Sequence, residues 1–117
     1  ENYAGDYPFW LAPEQIRLLP VTDEVQSYAD QLLDQLTKVG VRATVDRSGD
    51  RLGKLIRNGE QMKIPVLAVI GAKESEQNAV SLRSRRDGDL GMVPVEALLA
   101  AAELAITERS AGLEFVG

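Results

Sequence analysis

The chain has 117 residues, with 44% hydrophobic and 26% charged side chains, which fits one globular domain with a single core and excludes a disordered segment. It holds neither cysteine nor histidine, so disulfide frameworks, thiolate metal sites, thiol nucleophiles and imidazole bases are excluded, and an enzyme would have to rest on carboxylates or lysine. No apolar run approaches the ~20 residues that span a bilayer. The net charge of −5 argues mildly against a polyanionic partner, but the charge is polarised along the chain. Residues 1–41 carry two basic and seven acidic side chains, residues 42–63 carry six basic and three acidic, and residues 92–117 carry one basic and four acidic. Local fields rather than totals steer a polyanion, so the middle of the chain is where such a partner would bind.

Residues 1–13 hold four of the six aromatics, two prolines and a glycine, a composition that suits neither a helix nor a central strand. The chain opens on Glu1 with no secretory signal, as a piece of a longer protein would, and this stretch is expected to be a linker packing Tyr7, Phe9 and Trp10 on the domain body. Ile16–Pro20 is the first strand. Thr22 or Asp23 caps the next helix, whose apolar face is Val25, Tyr28, Ala29, Leu32, Leu33, Leu36 and Val39, with Gly40 just past its end. Val41–Val45 is the second strand.

A polar turn leads to a second helix starting near Asp50, whose carboxylate suits the N-cap. Leu52, Leu55, Ile56 and Met62 should face the core, while Lys54, Arg57 and Gln61 form a separate stripe. Fraying is expected around Gly59, and Pro65 stops the helix. Val66–Ile70, an unbroken apolar run between Pro65 and Gly71, should be a central strand buried on both faces. The alternation so far predicts three parallel strands joined by helical crossovers. Ala79–Arg85 then forms a strand, Asp87-Gly88 marks a hairpin, and Leu90–Val93 returns antiparallel. Pro94, at a first helical position, opens a last helix that ends near Ser110 to Gly112.

Three constellations carry chemistry. The basic stripe of the second helix follows directly on a strand end, where ligands of open α/β sheets bind; a solvated amphipathic helix would show the same pattern. Gly71-Ala72-Lys73-Glu74 follows the central strand, and a carboxylate there can accept from the amino or imino edge of guanine or cytosine. In a plain surface loop, Glu74 would simply be solvated. Arg83, Arg85 and Arg86 offer guanidinium forks for phosphates and bases, or protect an edge strand from aggregation. Asp46 and Asp50 make a weak metal pair, with no further hard ligand spaced to join them, and no phosphate-binding glycine loop is present.

The run Tyr3 to Ile16, with Trp10-Leu11-Ala12-Pro13 at its centre, resembles the junction between catalytic core and C-terminal domain in bacterial threonyl-tRNA synthetases. Gly40-Val41-Arg42, Leu52-Gly53, Ile56-Arg57, Ile64-Pro65, Gly71 through Glu74, and Val80 through Arg86 with Asp89-Leu90-Gly91 resemble the anticodon-binding domain of threonyl, prolyl, histidyl and glycyl enzymes. The resemblance implies a three-layer α/β fold, a mixed five-stranded sheet flanked by three helices. It implies a linker over 1–14 from a catalytic domain, an anticodon-binding domain over 15–112 and a tail over 113–117.

By the same resemblance Glu74 contacts an anticodon base, Arg83 contacts the loop, and Arg57, Lys63, Arg85 and Arg86 face the RNA. Where many bacterial relatives carry Arg-Asn-Glu-Lys, this chain has Ser48-Gly49-Asp50-Arg51, so the base-reading asparagine is absent and recognition there falls to backbone groups, Asp50 or Arg51, beside Lys54 of the basic stripe. The implied partners are threonine tRNA and the catalytic domain of the same chain. The implied parent is a cytoplasmic homodimer using ATP, magnesium and zinc in its catalytic part, with no cofactor, metal or catalytic residue in this segment. The alternatives are the same domain of a prolyl, histidyl or glycyl enzyme, a small-ligand domain of doubly wound type, and a former anticodon domain that now binds protein.

Overall fold

The structure, a computed structural model, describes residues 8–85, 87–109 and 113. Its centre is a five-stranded sheet in the order β2-β1-β3-β4-β5. Strands β1 (Ile16–Pro20), β2 (Ala43–Val45) and β3 (Val66–Ile70) are parallel, and β4 (Ala79–Ser84) and β5 (Gly88–Pro94) extend it as an antiparallel hairpin. The helices are α1 (Gln26–Lys38), α2 (Leu52–Gln61), α3 (Ala72–Glu76) and α4 (Val95–Thr107). The sheet, its mixed pairing and the α/β class agree with the sequence reading. The helix count does not: α3, read as a loop, is a fourth helix.

The strand order explains where the helices lie. The chain moves from β1 one way to β2 and then back across β1 to β3, so right-handed crossovers put α1 and α2 on opposite faces. On one face Ile16, Leu18, Val66, Ala68, Ile70, Val80 and Leu82 pack with Ala29, Leu32 and Leu36 of α1 and Leu98, Ala102 and Ala105 of α4. On the other, Leu19 and Leu67 pack with Leu55 of α2 and with Ile64. This smaller cluster spans β1 and β3 and stops there. In β4 and β5, Ser81, Arg83, Asp89 and Met92 keep much of their side chains in solvent.

Several expected boundaries shift for identifiable reasons. β2 begins at Ala43 rather than Val41, because the Val41 N–H returns to the Leu36 carbonyl and the Arg42 N–H goes to the Gln15 side chain. The first of these bonds, with Gly40 N–H to Thr37 O, closes α1 in a Schellman motif around Gly40 at φ +91°. A 3₁₀ turn over Asp23–Val25 precedes α1, and Thr22 makes no side-chain cap bond. The N-cap of α2 is Arg51, not Asp50; Asp50 faces Lys54 at 3.8 Å. Gly59 does not fray α2. It is buried, and a Cβ there would lie 2.5 Å from Leu67 Cδ2, so its missing side chain lets helix and sheet approach.

Met62 is 64% and Leu52 39% exposed, against the expectation that both face the core. Met62 lies past the last helical turn, and Lys63, at φ 59°, turns the chain back toward β3. β4 ends at Ser84, one residue short of expectation, and β5 runs longer than expected, with a bulge opposite Leu82 and Arg83. Pro94 is the last residue of β5 and the N-cap of α4 rather than its first helical residue. α4 ends at Thr107, with Glu108 as its C-cap; Ser110 to Gly112 lie outside the described residues, as do Tyr7, Arg86 and the tail apart from the buried Leu113.

Segment 8–15 is bolted to the domain. Phe9 is fully buried, and Gln15, also fully buried, donates to the Phe9 carbonyl at 2.9 Å and accepts from the Arg42 N–H at 2.7 Å. Arg42 in turn donates to the carbonyls of Ala12 and Trp10, and the Arg109 guanidinium lies 5.4 Å from the Trp10 ring centre.

Candidate nucleic-acid interface

The uncovered half of the sheet is the feature on which the candidate residues converge. Ser81 and Arg83 alternate with the buried Val80 and Leu82, so both point to the open face, opposite Met92 and Asp89 of β5. Half-buried Val69 of β3 pairs with Ser81 on the side away from Met92, so the two apolar side chains flank Ser81. α2 forms one wall of this face, and α3, beyond the carboxyl end of β3, closes one end.

Glu74 is neither a solvated loop residue nor a free base reader. It stands in the first turn of α3, where Oε1 accepts the Gly71 N–H at 2.9 Å and Oε2 accepts the Ser81 hydroxyl at 2.7 Å. The first bond is the reciprocal half of a capping box. Partial burial works to raise the pKa of Glu74, but the Ser81 hydroxyl, the backbone N–H groups and the Lys73 charge outweigh it and hold it below its ordinary value. The carboxylate is therefore an ionised acceptor, fixed to both α3 and β4. Beside it, Tyr28 donates to the Ala79 carbonyl at 2.8 Å, and burial and the Glu74 charge raise the Tyr28 pKa.

Arg83 lies two residues along β4 from Ser81, about 7 Å at strand rise. Its Nε is 3.6 Å from Glu60 Oε2 of α2, an ion pair with both side chains substantially exposed and so readily exchanged for another acceptor. Arg85 donates to the Glu60 carbonyl at 3.1 Å, at the carbonyl-rich end of α2, while the Lys63 N–H bonds the same oxygen. Glu60 thus draws Arg83 and Arg85 to the α2 wall, a role nothing in its local sequence signals.

The basic stripe of α2 is divided by the structure. Arg57 is exposed and one turn before Glu60, on the helix edge that borders the open face. Lys54 lies further round and pairs with Asp50, beside the exposed Arg51. The turn before α2 satisfies itself: the Ser48 N–H bonds Asp46 Oδ1 at 3.0 Å, and the Asp50 N–H bonds Ser48 Oγ at 3.3 Å. Arg47 ties this turn to α1 through Asp30 at 2.6 Å. The structure thus places Glu74, Arg83, Arg85 and Arg57 around one face, with the Lys63 backbone at the end of α2 nearest it, and sets Asp50, Arg51 and Lys54 at the far end of α2. Among the described residues no group of three or more acidic side chains is gathered to hold a metal ion.

The half-open face of the mixed sheet is thus walled by a helix and lined with arginine and a fixed carboxylate, groups whose chemistry suits a polar, anionic ligand. A profile described as "Anticodon binding domain" matches residues 15–103, and the chain belongs to that family. It is 85% identical over 114 residues to a threonine–tRNA ligase of Synechococcus sp. (strain CC9605), covering 97% of this chain and 19% of that protein. It is 80% identical over 117 residues to a threonine–tRNA ligase of Parasynechococcus marenigrum (strain WH8102), covering 100% of this chain and 19% of that protein. The chain thus spans about a fifth of the length of these curated relatives.

Among solved structures, the fold is similar to the RNA-binding domain of threonyl-tRNA synthetase from Cryptosporidium parvum Iowa II, with a TM-score of 0.80 at 24% identity over 96% of this chain and 27% of that one. It is also similar to prolyl-tRNA synthetase from Cryptosporidium parvum, with a TM-score of 0.73 at 20% identity over 86% of this chain and 22% of that one.

Proposed function

We propose that this domain reads the anticodon loop of threonine tRNA and so helps a longer threonine–tRNA ligase choose its RNA. The observation that carries the proposal is the open β4–β5 face, where the Glu74 carboxylate of α3 is held on Ser81 of β4, two residues from Arg83 of the same strand. Loop bases have open Watson–Crick edges, which a duplex conceals. Glu74 accepts from a base's amino or imino group, Arg83 donates to a base or the loop backbone, and Val69 and Met92 supply an apolar floor for a base plane. Arg57, Lys63 and Arg85, with Arg86 of the same motif, meet phosphates, which position the RNA without specifying it. At the other end of α2, backbone groups, Asp50 or Arg51 take the place of the missing asparagine, beside Lys54 of the basic stripe.

The high-identity relatives share the name threonine–tRNA ligase, which favours threonine over proline, histidine or glycine as the parent's amino acid. In this reading residues 1–14 lead from the catalytic domain, 15–112 form the reading domain and 113–117 a tail. The parent is a cytoplasmic homodimer whose catalytic part binds ATP, magnesium and zinc, and this segment does no chemistry itself.

The test is a binding titration of the chain with the anticodon stem-loop of threonine tRNA and with versions changed at the second or third anticodon base, at two salt concentrations. The expected result is a cognate preference of ~1 kcal/mol or more per base. Equal affinity for all loops, falling steeply with salt, would reduce the site to a phosphate-binding patch.

A further inference from the structure

We propose that Ser81 is a positioning residue for base discrimination: its hydroxyl clamps the Glu74 carboxylate to β4, and that clamp fixes where a base edge must lie to be read. The inference rests on the reading of Glu74 as a base-contacting residue. Glu74 projects from a five-residue helix with no buried residue of its own, so packing does little to fix its long side chain. The Gly71 bond closes only within the turn that carries Glu74, three residues apart. The Ser81 bond, 2.7 Å long, ties the carboxylate to another element, and Ser81 is the one side chain hydrogen-bonded to Glu74 among the described residues.

The element chosen matters. β4 also carries Arg83, two residues on and on the same face, so one rigid strand sets the spacing between the acceptor and the guanidinium. A carboxylate offers about four acceptor sites, so two bonds within the protein leave capacity toward the open face. The serine hydroxyl has a single proton, which this bond commits to Glu74. Tyr28 does not substitute for it, because its hydroxyl is committed to the Ala79 carbonyl. A carboxylate held in one rotamer accepts only from a base presented at one angle and loses no rotamer freedom on binding, which is how preorganisation becomes discrimination.

The test uses the 117-residue chain with Ser81→Ala, Ser81→Thr, Glu74→Gln and the double variant, titrated against the threonine anticodon stem-loop and the two base-changed loops, with a thermal unfolding curve for each. Ser81→Ala is expected to lower the cognate-to-changed ratio by roughly three- to tenfold, the scale of one ordinary hydrogen bond, because the clamp acts on the base only through Glu74, while leaving the salt slope unaltered. Ser81→Thr, which keeps the hydroxyl, should restore the ratio, and Ser81→Ala should have no further effect in a Glu74→Gln background. A wild-type ratio in Ser81→Ala, with the ratio lost in Glu74→Gln, overturns the positioning role alone. An unchanged ratio in Glu74→Gln overturns the base-reading role of Glu74 and this inference with it. An undiminished effect of Ser81→Ala in the double variant shows that Ser81 acts by another route and also overturns it.

Discussion

At the residue scale the informative groups are polar side chains that the fold has committed internally. Glu74 and Glu14 are both held below the ordinary carboxyl value of 4.5. For Glu14, burial pushes the other way and is outweighed by hydrogen bonds from Arg17 and Thr44 and by the Arg17 charge. A carboxyl whose folded pKa is depressed binds fewer protons than the unfolded chain does, so its stabilisation is present above about pH 4.5 and is lost as pH falls through the folded value. Urea titrations between pH 7 and pH 3 should show stability falling below pH 4.5, and Glu74→Gln should make that fall shallower. Gln15 is a second such residue. Gln15→Leu leaves the Phe9 carbonyl and the Arg42 N–H without their buried partner and should cost about 1–3 kcal/mol in the same assay, without altering the open β4–β5 face. Neither role was legible in the sequence. A lone glutamine beside a strand carries no signal, and although Glu74 was a candidate acceptor, its clamp was hidden because Ser81 meets it only when α3 folds over the end of β3.

At the element scale, α2 decides how much of the sheet is open, because it covers part of one face and walls the rest. It packs through few residues, with Leu55 as its fully buried apolar side chain and Gly59 pressed against Leu67. Gly59→Ala should destabilise the domain by about 1–3 kcal/mol, because the added methyl must push Leu67 or the helix away. Gly40→Ala should cost about 1 kcal/mol for a different reason: there is space for the methyl, but φ +91° disfavours any side chain. Denaturant midpoints measure both losses, and only Gly59→Ala should also move Arg57 and Glu60 and so weaken RNA binding. The long elements were legible. β1 and β3 match the sequence reading residue for residue; β3, between two neighbouring strands and buried, is an unbroken apolar run, and β1 is apolar apart from Arg17. α3 was not, because Ala72–Glu76 buries nothing and has no apolar period to detect.

At the scale of the whole molecule, the electrostatic design is a basic middle segment within an acidic chain. The acidic remainder disfavours non-specific polyanions, so in the proposed reading RNA affinity comes from the wall of α2 and from β4. Arg57→Ala should weaken binding to cognate and changed stem-loops alike and reduce the salt slope by about one, leaving their ratio intact. A change in the ratio would instead make Arg57 a base-contacting residue. The Arg83–Glu60 pair adds an internal competitor for the key guanidinium, which an RNA acceptor must displace.

The sequence alone determined the class of the fold, the order of the long elements, the central strand and the family resemblance, because each is written in local periodicity, turn chemistry or short contiguous motifs. It did not determine which half of which sheet face stays open, that Glu74 is clamped by Ser81, or that Glu60 draws two arginines to the α2 wall. Those are decided by the strand order and by how far α2 reaches across the sheet. They join groups on different elements, whether seven positions apart, as Glu74 and Ser81 are, or 25, as Glu60 and Arg85 are, and only the tertiary structure brings those elements together.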